Sequence, residues 1–180
     1  GCRLVFNTTG SSLLREAVSF RAWETRPTFA DAHLLGAGSV AYAAFEGPNG
    51  NPSLSDLAAE SYRIFAKDAS LRTKVFGAEA QAIDIGQGCG AVTFPMPDDR
   101  LGALPAGLSQ TVCNRLRCEG EQEIGSLHVG HIMPDGLSQS WTKAEIEPRI
   151  VVRSDAIEVR ISPRVDAEIR VAIAARPGVE

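Results

Sequence analysis

No stretch of this sequence is long and apolar enough to span a bilayer. The run without a charged residue at 32–45, which no other run exceeds, falls short of the about 20 residues a spanning helix needs, and His33, Gly36 and Gly38 interrupt it. Basic clusters are missing as well: 18 cations face 22 anions, for a net charge of −4, and neither half of the chain is basic. Sequence-independent nucleic-acid binding draws its affinity from clustered Lys and Arg, so nucleic acid is excluded as a partner. A Gly-x-Ser-x-Gly elbow is also lacking. Ser109 and Ser138 both sit in Gly-Leu-Ser-Gln without the second glycine, which leaves nucleophilic catalysis without a footing and no residue assigned as catalytic.

What is present resembles an average globular protein: 44% hydrophobic and 22% charged residues over 180 positions. A chain of this length buries roughly 70% of its unfolded surface in one core, so residues 1–180 are expected to form a single domain. Residues 47–52, Gly-Pro-Asn-Gly-Asn-Pro, propagate neither a helix nor a central strand and mark the one candidate boundary between subregions.

The clearest element is a helix over residues 53–71. Ser53 and Asp56 supply a capping-box start, and Leu54, Leu57, Ala58, Ile64, Phe65 and Leu71 form one apolar face, with Tyr62 near its edge. Before it, residues 11–16 read as a short helix and 18–22 alternate like a strand. Thr28 and Asp31 suggest a cap for a helix through Leu35, and 39–45 fit a buried strand or a helix equally. After it, residues 81–85 and 91–94 look like short strands, followed by a turn at 95–99. At the end, 157–161 and 167–173 alternate apolar and charged residues, which predicts an antiparallel hairpin with Arg160 opposite Glu168 and Glu158 opposite Arg170. The fold class that follows is α+β, with a helical and mixed N-terminal half and an antiparallel sheet in the C-terminal half.

Four cysteines, Cys2, Cys89, Cys113 and Cys118, allow three pairings. Four residues separate Cys113 from Cys118, a spacing that suits a disulfide across a tight turn, and Cys89 among glycines is the companion for Cys2. Disulfides would place the protein in a periplasmic, secreted or surface location. Cys2 beside the first residue also matches the start of a processed lipoprotein, so a lipid anchor there is one expectation and an ordinary strand cysteine the other.

Two strings touch on chemistry. Gly125-Ser126-Leu127-His128-Val129-Gly130-His131-Ile132 resembles, over eight residues, the His-x-Gly-His signature of class I aminoacyl-tRNA synthetases. The second signature of that family, a Lys-Met-Ser-Lys-Ser-like loop, is absent, and the residues after His131 read as antiparallel strands. No family assignment follows. The set Cys113, Cys118, His128 and His131 has the ligand types of a Cys2His2 zinc site in the usual order. On a strand, His128 and His131 face opposite sides unless Gly130 forms a bulge that re-aims one of them. Asp98, Asp99 and Asp135 stand in Pro/Gly turns, where Asp commonly bonds its own backbone.

These readings lead to a non-enzymatic extracytoplasmic binding or assembly module (a surface, pilus, periplasmic or virion structural subunit) with a protein partner or self-assembly and no cofactor. The alternative is a metal-dependent enzyme or zinc protein using His128 and His131, with His33 or Asp135 as helpers.

Overall fold

A computed structural model describes residues 4–77, 83–84, 92–93, 96, 98–117, 124–136, 138–148, 150–152 and 157–159. Its elements are β1 (Leu4–Asn7), α1 (Ser12–Phe20), β2 (Thr28–Leu35), β3 (Val40–Phe45), α2 (Leu54–Lys67), α3 (Ala69–Phe76), β4 (Ile83–Asp84), β5 (Val92–Thr93), α4 (Asp98–Arg117), β6 (Gly125–Ile132), β7 (Gln139–Ile146), β8 (Ile150–Val152) and β9 (Ile157–Val159). The class is α+β. A five-stranded sheet runs in the order β1-β2-β3-β6-β7. β1 and β2 are parallel, joined by the α1 crossover, and the other pairs are antiparallel. The sheet therefore draws three of its strands from the first half of the chain.

β3 is the middle strand, and all six of its residues are buried. Val40, Tyr42 and Ala44 point into a core with Leu54, Leu57, Phe65, Leu71, Leu127 and Val129; Ala43 and Phe45 point the other way, toward Leu108 and Val112 of α4. A strand covered on both faces carries no period-two signal, which is why its sequence fits a helix as well.

α2 and α3 develop the helix expected at 53–71. Ser53 caps α2 in a full capping box with Asp56. Asp68 then ends one helix and starts the next, its carboxylate accepting from Ser70 N at 2.8 Å and Leu71 N at 2.9 Å. Burying Leu54, Leu57 and Phe65 contributes roughly 1.5–3 kcal/mol each.

Several expectations are corrected. Residues 18–20 continue α1 rather than opening a strand, and residues 28–35 are a strand, not a helix. Asp31 is no cap: its side chain is buried in the middle of β2. Residues 98–117 form α4, so Asp98 and Asp99 sit in the first turn of a helix, and the residues after Cys113 continue that helix through Arg117 instead of making a tight turn. Cys113 is a free, exposed thiol, and the expected 113–118 disulfide is not formed; Cys2, Cys89 and Cys118 lie outside the described residues. β6 and β7 form a hairpin through the Met133-Pro134-Asp135 turn, where Asp135 accepts from Ser138 N at 2.9 Å. β4 pairs with β5, as short antiparallel strands. β9 pairs with β8, while the expected partner at 167–173 lies outside the described residues. No described helix is long and apolar enough to cross a membrane.

The β2–β3 turn depends on glycine. Gly36 has φ +57°, and a Cβ there would stand 2.4 Å from the Lys74 carbonyl oxygen of α3. The same helix binds the far end of β6, because Lys74 Nζ donates to the Ile132 carbonyl.

Candidate functional site

β1 stops opposite the middle of β2. Its last residue, Asn7, pairs with Asp31, so residues 32–35 have no strand partner on that side among the described residues. The alternation of β2 puts Asp31 and His33 on one face, toward α1 and α2, and Ala32 and Leu34 on the other. At the end of β1 the chain turns away through Thr8, Thr9 and Gly10 into α1, and the gap it leaves is a cleft of about 760 Å³.

One pole of this cleft is organised around Asp31, whose side chain has no exposed surface. Oδ1 accepts from Asn7 Nδ2 at 2.8 Å and lies 2.9 Å from His33 Nε2; Oδ2 accepts from Arg15 Nε at 2.8 Å. Arg15 Nη2 stands 3.2 Å from the same His33 nitrogen. His33 Nε2 thus stands between the Asp31 carboxylate and the Arg15 guanidinium, with Nδ1 on the Gly10 side. A buried carboxylate is tolerated only when paired and hydrogen-bonded, and this one has three partners on three elements.

Tyr42 of β3 stacks on His33, with ring centroids 5.7 Å apart and planes at 11°. It is 2% exposed, and its hydroxyl has no hydrogen-bond partner. Ser61 lies by it, but the serine donates its own proton to the Ala58 carbonyl at 2.7 Å. Burial, followed by the neighbouring Asp31 charge, pushes the phenol well above its ordinary pKa, so it remains a donor throughout the usual pH range. The remaining walls are mostly apolar: Phe6, Leu34, Leu35, Phe65, Leu108 and Val112.

The sequence-predicted metal residues are placed elsewhere. His128 and His131 stand on one unbroken strand, with Gly130 paired in regular register to Ala41 and Trp141 and no bulge between them. His128 faces α4 and meets Phe45 edge-on at 5.7 Å, whereas His131 faces the opposite side, near Lys74 and Asp68. Burial lowers the pKa of His128 to about 4, helped by Lys143 and Arg115. His131 is also lowered, first by burial and then by Lys74. Cys113 is exposed on α4, and Cys118 lies outside the described residues. Among the described residues, no three His, Cys, Asp or Glu side chains gather where they could hold a metal ion. Gly130 has a different use. It and Gly107 of α4 hold the Trp141 indole between them, and a Cβ at either position would stand within 2.6 Å of the ring.

Of the cleft residues, the sequence singled out only His33. Arg15, Asp31 and Tyr42 were missed, although a signal existed: Asp31 and His33, two apart in an otherwise apolar stretch, share a face once that stretch is a strand. No protein-family model matches the chain, and no curated protein matches it.

Proposed function

We propose that this chain is a non-enzymatic binding module that holds a small amphipathic molecule in the cleft beside β2. The observation that carries this reading is the division of the cleft into a polar pole, fixed by buried Asp31, and apolar walls from β1, β2, α2 and α4. Pre-formed clefts of this size with a few convergent polar groups are the common form of small-ligand sites. A role in catalysis has less support, because the Thr9 and Ser61 hydroxyls near His33 are spent on Asn7 Oδ1 and the Ala58 carbonyl. The test is fluorescence titration with the neutral probe N-phenyl-1-naphthylamine. Saturable binding to the native protein, abolished by Ser109→Trp in the α4 wall, supports the reading; equal binding by both proteins, or none by the native one, overturns it.

The assembly half of the expectation finds its support on α1, where Leu13 and Phe20 stand on one helical stripe about two turns apart, 77% and 79% exposed. Sedimentation of the native chain against Phe20→Ser checks it, a loss of self-association being the supporting outcome. Extracytoplasmic placement stays part of the proposal through Cys2, Cys89 and Cys118. A count of fewer than four reactive thiols in the denatured, unreduced protein supports it, and four opposes it.

A further inference from the structure

We propose that the ligand of this cleft is a monocarboxylate amphiphile, its carboxylate held by the Tyr42 hydroxyl and the Arg15 guanidinium and its chain laid along Phe6, Leu35, Phe65 and Leu108. This rests on the cleft being a ligand site, and it adds the chemistry of the head group.

Three observations converge. Tyr42 is buried and its hydroxyl is orphaned, and a buried donor without an acceptor is costly unless something outside the chain supplies one. Arg15 spends Nε on Asp31 and turns Nη2 toward His33, and its side chain, 13% exposed, lines the cleft with more donors in its five-donor fork than these two contacts use. Arg15 is also the one formally charged side chain among the described residues that line the cleft; Asp31 is saturated behind it. The exposed wall is therefore donor-rich, its one formal charge that of Arg15, and the Asp31 carboxylate behind it is taken up by Arg15, Asn7 and His33.

The charge balance limits that anion to one negative charge. The Arg15 cation is already partly neutralised by Asp31 at 2.8 Å, which leaves too little positive charge for a phosphate dianion. A carboxylate suits both the planar fork and the single phenol donor.

The experiment displaces N-phenyl-1-naphthylamine from the native protein with decanoate, 1-decanol and decyl phosphate at neutral pH, and repeats the series on Tyr42→Phe. Decanoate is expected to compete at about tenfold lower concentration than 1-decanol, and Tyr42→Phe to remove most of that advantage, each competition being scaled to that protein's own probe affinity. Equal competition by the acid and the alcohol, tighter competition by decyl phosphate, or an unaltered decanoate advantage in Tyr42→Phe overturns the inference and leaves the cleft reading standing. Failure of the probe to bind the native protein overturns both. Because Tyr42→Phe removes a hydroxyl with no protein partner, its fold is retained.

Discussion

Arg15 Nε meets Asp31 Oδ2 at 2.8 Å, and the two ends of this pair differ in their access to water: the arginine side chain is 13% exposed and the aspartate fully buried. That asymmetry orders the consequences of breaking it. Arg15→Met strands a buried carboxylate on Asn7 and His33 alone and is expected to cost about 3–5 kcal/mol. Asp31→Asn strands a cation that can still reach solvent and is expected to cost less, about 3 kcal/mol. Urea unfolding of the two variants measures both, and a larger loss for Asp31→Asn would contradict this ordering.

Glu46 plays the corresponding role at the other end of the sheet. Its buried carboxylate accepts from Arg26 Nη2 at 2.7 Å, Leu54 N at 3.1 Å and Phe29 N at 3.3 Å, joining α1's exit, β2 and the start of α2. Glu46→Gln turns an amide donor toward one of these donors and is expected to destabilise by about 3 kcal/mol. Burial raises the Glu46 pKa, so the native state holds its proton more tightly than the unfolded chain does. Wild-type stability therefore falls as pH rises from 4.5 through the folded pKa, and the deficit of Glu46→Gln narrows over the same range. Denaturation midpoints of both proteins at stepped pH check the cost and its trend.

How much of this was legible depended on whether local pattern or distant packing decided each element. The capping box at Ser53 and Asp56 and the apolar face after it are local, and α2 follows them closely. Thr28 and Asp31 imitate a cap in the same way, but Asp31 is taken by Arg15, Asn7 and His33, and the stretch pairs as β2. In α4, Gly102, Pro105 and Gly107 masked a helix that Leu101, Leu104, Leu108 and Val112 had marked at helical spacing. The site was the least legible part. Its groups come from α1, β2 and β3, and nothing in the sequence joins Arg15 to Tyr42 before the sheet is assembled.

Trp141 supplies a prediction with a built-in control. Gly130→Ala would put a Cβ 2.6 Å from the indole, and a shift of a fully hydrogen-bonded strand to relieve it is expected to cost about 1–3 kcal/mol. Gly102→Ala, in α4 with nothing within 4 Å of the new methyl, is expected to stabilise by about 0.5–1 kcal/mol through helix propensity alone. Thermal unfolding of the two variants should move in opposite directions, with Trp141 emission shifted only in the first.

His128 makes stability depend on acid. Its ring is packed against Phe45 between α4 and the sheet, and burial, with Lys143 and Arg115 nearby, lowers its pKa from 6.5 to about 4. The unfolded chain thus binds the proton more readily than the native one, so the His128 contribution is complete above pH 6.5 and is lost as pH falls toward 4, with no further loss below. Solvent reaches part of the ring, and the discounted size is roughly 1–2 kcal/mol. His131 shifts in the same direction, first through burial and then through Lys74, and adds to the slope in the wild type. His128→Gln isolates the first share: its denaturation midpoint should fall less steeply than the wild type's between pH 6.5 and 4. Parallel profiles would show that His128 titrates alike in the folded and unfolded chains, and that its place between Phe45 and Lys143 is more open to water than the packing of α4 implies.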